Sequence, residues 1–185
     1  MTIYILKCLS SAEEYIQIHG DVSKIRMHII KSEINLIYDN VVHFEISDHG
    51  GLEVPDILYY EGIYLVSNRV KELLGRNNAD YLHWIKANLQ NKKLGMQEVF
   101  WILIPPKIDC IDIDKSDIDI SDWDYLDGIV PMFDYTSLRI VTKLLGRYEV
   151  FKILGIRDNN IYITERMYEQ IKSHNFEGIE FIKLQ

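Results

Sequence analysis

The sequence predicts a mixed α+β fold, with mostly antiparallel sheet and two short helices set in a repeated strand–helix–strand unit. Three observations carry this expectation. Short β-branched runs with period-2 alternation dominate, two segments carry helix-start signals, and those two segments align with each other at a fixed offset. Composition agrees: of 185 residues, 48% are hydrophobic and 26% charged, with 10 Gly and only 4 Pro. That is a globular balance, for one domain or two small ones sharing a core.

The strands are expected near residues 3–8, 41–46, 62–66, 81–87, 99–104 and 107–113, then near 138–141, 148–153, 160–164 and 178–184. Each is a run rich in Ile, Val, Tyr or Phe, bounded by polar or Gly-containing stretches. Residues 21–30 read equally as helix or strand. Ser67 is the expected N-cap of NRVKELLGR, with Val70, Leu73 and Leu74 on one face and Gly75 near the C-terminal cap. Thr164 plays the same part before ERMYEQIKSHN, where Met167 and Ile171 are spaced for one face.

A shift of 97 residues places 66–86 on 163–183, matching Arg69 with Arg166, Glu72 with Glu169, Asn78 with Asn175, Ile85 with Ile182 and Lys86 with Lys183. Cap, helix and following strand keep register. Two copies are too few for a solenoid, so one α+β domain is expected. Residues 1–50 form a β-rich segment of unsettled placement, read as continuous with a main domain over 52–185.

The formal charge is −8, from 20 Lys and Arg against 28 Asp and Glu. It is localised. Between Asp109 and Asp127 stand eight aspartates and one lysine, Lys115, so the rest of the chain is nearly neutral. A nucleic-acid surface needs basic charge, and none is concentrated here. No apolar run approaches the roughly 18 residues of a membrane span. The segment MTIYILKCLSSAEEY places its one basic residue after the apolar stretch, the reverse of a secretory leader. A soluble, cytoplasmic protein is expected. Cys8 and Cys110 form no CxxC and read as buried thiols.

Catalytic patterns are sparse. His43, Glu45, Asp48 and His49 cluster at a strand end, but a strand running into the Gly50–Gly51 turn explains them equally. Asp112, Asp114 and Ser116 begin like a calcium loop, which then fails at Asp117 and Trp123. Phosphate loops, nucleophile elbows and dinucleotide fingerprints do not occur. No enzyme, metal or cofactor is expected. The remaining candidate is the acidic stretch with Asp117, Asp119, Asp122, Trp123, Asp124, Tyr125 and Asp127. Aromatics among like charges can anchor a protein interface while the carboxylates steer a basic partner. A solvated loop is the alternative.

The order of short elements resembles a known family. Pro55-Asp56-Ile57 is followed by LVSNRVKELL (65–74), IDCIDIDKS (108–116), VFKI (150–153), IYITERMYEQI (161–171) and EGIEF (177–181). This is similar to the eleventh family of immunity proteins from bacterial polymorphic toxin systems, over about residues 52–185. Phe176 stands before Glu177-Gly178 where the family often has a small or hydroxyl residue. The resemblance transfers no catalytic residue. It implies a protein that protects its producer by binding a toxin encoded beside it; the acidic segment, singled out by its charge and aromatics and not by the resemblance, is the candidate toxin-facing surface. Two other readings compete: a homodimer or other self-associating module using exposed strand edges, and a hydrolase using the acidic segment with His43 or His49.

Overall fold

A computed structural model describes residues 1–9, 14–23, 25, 41–48, 50–126 and 130–184, with backbone alone at 77, 120–126 and 130–132. The segment 21–30, open between helix and strand, lies largely outside these. The described elements run β1 (Ile3–Cys8), β2 (Ile18–His19), β3 (Val42–Ile46), β4 (Ile57–Tyr60), β5 (Ile63–Val66), α1 (Asn68–Asn78), β6 (His83–Asn91), β7 (Met96–Ile104) and β8 (Lys107–Ile108). After a 3₁₀ turn at Ile113–Lys115 come β9 (Asp117–Leu126) and β10 (Val130–Ser137). A second 3₁₀ turn at Thr142–Leu145 leads to β11 (Val150–Ile153), β12 (Ile161–Thr164), α2 (Glu165–Lys172) and β13 (Ile179–Lys183). The expected α+β class, with mostly antiparallel pairing, is what forms.

The chain divides into two compact units: Met1–Lys7, Pro105–Gln170 and Phe181–Gln185 in one, Cys8–Ile104 and Ile171–Glu180 in the other. The second holds a six-stranded sheet of order β2-β3-β6-β7-β5-β4, antiparallel except for the β3–β6 pair. Alternation puts Phe44, Ile46, Ile85, Leu89, Phe100 and Ile102 on one buried face. Burying such side chains contributes roughly 1.5–3 kcal/mol each. The β4–β5 link is a two-residue turn in which Glu61 (φ 47°) and Gly62 (φ 86°) are both left-handed. That conformation matches the twist of the paired strands and suits glycine better than glutamate. Against β5 and β7 lies α1, whose Lys71 ammonium sits 3.0 Å from the Trp101 ring centre.

The first unit contains the sheet β13-β1-β12-β11-β8. β12 is central and buried on both faces. On one face Ile3, Ile5, Phe151, Ile153 and Tyr162 pack with Cys110, Leu138 and Leu145. β9 and β10 form a separate two-stranded sheet.

The repeat proves deeper than the match of helix and cap at an offset of 97 residues. Ser67 Oγ accepts from the Val70 amide at 3.3 Å, and Thr164 Oγ1 accepts from the Met167 amide at 3.4 Å. Both N-caps form as expected. Each cap residue's own amide donates to the carbonyl of an acidic residue preceding an antiparallel strand pair: Ser67 to Asp56 (2.9 Å), Thr164 to Glu149 (3.0 Å). The matched arginines then reach back to the same acids, Arg69 to Asp56 at 3.2 Å and Arg166 to Glu149 at 3.3 Å. The repeated unit is therefore acid, strand, strand, capped helix. The acids escape a fixed-offset comparison because the turn between the strands is longer in the second copy.

Some expected elements change. Gly75 lies inside α1, which runs on to an Ala79 cap, and a Cβ there would meet nothing. The strand expected at 107–113 stops after Ile108. Ser116 Oγ donates to the Asp112 carbonyl (2.7 Å) and accepts from the Arg139 amide (2.9 Å), and Lys115 pairs with Asp112 (2.8 Å), folding this stretch into a 3₁₀ turn. The strand expected at 138–141 is reduced to one bridge, Ile111 to Ile140.

Candidate functional site

The acidic stretch is a β-ribbon for most of its length. β9 pairs with β10 from Leu126↔Val130 and Asp124↔Met132 to Asp119↔Asp134 and Ile118↔Tyr135, with a register shift between Met132 and Asp134. Five steps along β9 from Asp119 to Asp124 face two along β10 from Asp134 to Met132, so the bulge lies on the acidic strand. Asp117 and Asp119 are exposed, and Ile118 between them is half-buried. Asp119 faces Asp134 across the pair, an arrangement of like charges that weakens a ribbon unless a cation offsets it. Arg157 does so, 3.4 Å from Asp134.

The base of the ribbon is braced. Phe133 donates to the Gly155 carbonyl (2.7 Å) and accepts from the Arg157 amide (3.0 Å), a one-residue parallel bridge to Ile156. Beside it Asp158 accepts from the hydroxyls of Tyr135 (2.8 Å) and Tyr162 (2.7 Å) and from Asn160 Nδ2 (2.6 Å). Burial, then the Asp158 charge, pushes the Tyr162 phenol far above its ordinary range. Burial also raises Tyr135. Both phenols therefore stay protonated and donate.

Of the seven sequence candidates, Asp117 and Asp119 are exposed at the braced end. Asp122, Trp123, Asp124 and Tyr125 follow along the same strand, and Asp127 lies outside the described residues. The sequence reading missed β10 and its supports Asp134, Tyr135, Arg157 and Asp158. Asp127-Gly128 between two β-prone runs is the hairpin signal that points to them.

The histidine cluster is dispersed. Glu45 pairs with His19 at 3.1 Å, Asp48 engages Lys93 and Asn91, and His49 lies outside the described residues. His19, Glu45, Asp48, Asn91 and Lys93 rim an open polar cleft of about 390 Å³. Among the described residues, no three His, Cys, Asp or Glu side chains converge to hold a metal ion. Burial pushes the Cys110 thiol up to about 12, leaving it a poor nucleophile at neutral pH. Burial, reinforced by Lys107 opposite in the β8–β11 register, brings Lys152 down to about 8.

Three of the six short motifs that carry the family resemblance meet in the second unit around Asp56, which is 7% exposed. Asp56 receives Ser67 Oγ (2.6 Å), the Arg69 guanidinium and the Glu177 amide (3.1 Å), while its own amide donates to the Glu177 carbonyl (3.0 Å). Gly178 (φ 73°) lies so close to Pro55 that a Cβ would come within 2.5 Å of the ring. The Arg69 guanidinium covers the Phe176 ring at 5.1 Å, with His174 stacked on that ring. These residues hold architecture, and the glycine is required by contact as well as by dihedral.

Fold and surface together define an α+β protein of two units whose signature residues are structural and whose acidic charge lies on a braced ribbon. Residues 9–185 match the Immunity protein family (Imm11), and the chain belongs to that family. Membership carries a role in toxin immunity in general. The match begins at Leu9, taking in most of the N-terminal stretch that the resemblance left unplaced. No curated protein matches the chain. No helix among the described residues is long and apolar enough to cross a membrane.

Proposed function

We propose that this protein protects its producer from the cytoplasm by binding and neutralising a cognate toxin encoded beside it, without catalysis and without a cofactor. The toxin-facing surface is the acidic ribbon: Asp117, Asp119, Asp122, Trp123, Asp124, Tyr125 and Asp127. One observation carries this reading. The strands β9 and β10 contain Asp117, Asp119, Asp122, Asp124 and Asp134 and no lysine or arginine, although the chain outside the acidic stretch is almost neutral. Concentrated charge of this kind attracts a basic partner and speeds its encounter. Toxins that act on nucleic acid carry basic active sites, and a row of aspartates can occupy one as a phosphate mimic.

Growth rescue tests the proposal. The C-terminal domain of the adjacent gene product is expressed in a sensitive host with and without this protein, and the pair is then co-purified. Rescue with a stable complex is the expected outcome. Rescue without a complex would shift the role to an enzymatic antidote.

A further inference from the structure

We propose that Lys152 is a carbon dioxide site, its side-chain amine forming a carbamate that pairs with the neighbouring Lys107 ammonium. The inference stands apart from toxin binding and rests on the β8–β11 edge of the first unit. Lys152 and Lys107 are Cα partners in a parallel pair. The pairing is fixed by the Lys152 amide on the Pro106 carbonyl (2.8 Å) and the Leu154 amide on the Ile108 carbonyl (2.9 Å). The next partners in register, Ile153 and Ile108, both pack into the core. Alternation therefore sets the two lysines on the opposite face, side by side. Like charges in that position weaken a strand pair. Lys152 is also half-buried, between the buried Phe151 and Ile153.

The acid whose charge reaches Lys152 is Asp158. Its carboxylate is committed elsewhere, to the Tyr135 and Tyr162 hydroxyls and to the Asn160 amide and Nδ2. No ion pair among the described residues includes Lys152. Burial, then the Lys107 charge, brings the Lys152 ammonium down to about 8, so on the order of a tenth of the amine is neutral at pH 7. The lone pair of that neutral Nζ attacks the carbon of carbon dioxide. One C=O π pair moves onto oxygen, and the nitrogen gives a proton to water. One amine and one carbon dioxide thus yield one carbamate and one proton. The reaction reverses the sign of the site: a cation beside a cation becomes an anion beside a cation. Lys107, whose charge opposed the ammonium, then donates to a carbamate oxygen. It is exposed on the terminal strand of the sheet, where dissolved carbon dioxide and water have access.

Carbon NMR on the full chain tests this, with isotope-labelled bicarbonate as the probe. A carbamate resonance that saturates with dissolved carbon dioxide is expected, and Lys152→Arg should abolish it. Lys107→Gln should weaken the affinity about tenfold or more, because it removes the counter-cation and lets Lys152 regain basicity. Trapping in the unmutated protein locates the group without relying on either variant. Triethyloxonium converts a carbamate to its stable ethyl ester, which peptide mass spectrometry should find on Lys152. An ester confined to the Met1 α-amine, or spread evenly over exposed lysines, overturns the inference. So does the absence of a carbamate resonance, or an affinity that Lys107→Gln leaves unchanged.

Discussion

Asp56 and Ser67 hold each other twice: the Ser67 amide donates to the Asp56 carbonyl at 2.9 Å, and the Ser67 hydroxyl donates to Asp56 Oδ1 at 2.6 Å. The same hydroxyl accepts from the Val70 amide and so starts α1. A buried carboxylate here is a joint between strand, helix and the Glu177 segment. Asp56→Ala leaves the Ser67 hydroxyl and the Glu177 amide without their acceptor, while the exposed Arg69 guanidinium turns to water, and should destabilise the protein by about 1–3 kcal/mol. Urea denaturation measures it, and a loss below about 1 kcal/mol would mean that water replaces the carboxylate cheaply.

Ser67→Ala removes both a helix cap and a bond to Asp56, whereas Thr164→Ala removes a cap alone. Losses of about 2 and about 1 kcal/mol are expected in that order. Equal losses would show that the serine-to-aspartate bond adds nothing to capping.

Lys152→Met should stabilise the protein at pH 7. Burial and Lys107 bring the folded-state pKa to about 8, below its ordinary value of 10.5. Below pH 8 the ammonium is charged in both states and its desolvation opposes folding. Between pH 8 and 10.5 only the unfolded chain holds the proton, so native stability rises with pH and the penalty fades. The variant's advantage should be about 1–3 kcal/mol at pH 7 and small at pH 10. An advantage that is constant with pH would assign it to packing.

Tyr162→Phe deletes one donor to Asp158 and should cost about 1 kcal/mol near neutrality. The phenol's folded-state pKa is raised, so its stabilisation is complete below the unfolded value and is lost as pH climbs above it. The wild type should therefore lose stability more steeply than the variant above about pH 10. Parallel curves in an alkaline denaturation series would contradict this.

Replacing Asp117, Asp119, Asp122 and Asp124 by Asn should slow association with the toxin about tenfold or more at low salt and flatten its salt dependence. Stopped-flow or surface binding at two ionic strengths decides. An unchanged on-rate would move the interface off the ribbon.

Much of the fold was legible because local chemistry wrote it. The runs at 3–8, 41–46, 148–153 and 160–164 are β-branched and became strands within a residue or two. Ser67 and Thr164 capped as their residue types dictate. Non-local pairing was harder to read. Ile57–Tyr60 became a strand only because β5 lies beside it through a turn with Glu61 in a left-handed conformation glutamate seldom adopts. Gly75 looked like a helix end, yet tertiary support carries α1 past it to Asn78. The acidic charge was visible from composition, but the ribbon that presents it depends on Phe133, Tyr135 and Arg157 meeting partners about twenty residues away. Those partners have no spacing rule. The Asp56 cluster is three separate motifs along the sequence, and only the fold makes it one object.

The acid-anchored repeat also bears on the sequence of events during synthesis. Asp56 finds Ser67 eleven residues on, and the Glu149–Thr164 closure is only slightly wider, a difference of about 0.3 kcal/mol in loop-closure entropy. Each hairpin and capped helix can thus assemble soon after it leaves the ribosome. β1 has no such local partner, since Ile3 must wait for Thr164 and Leu6 for Ile161. β1 therefore stays unsheltered until β12 has been translated, and its apolar face is the surface a nascent-chain chaperone would meet.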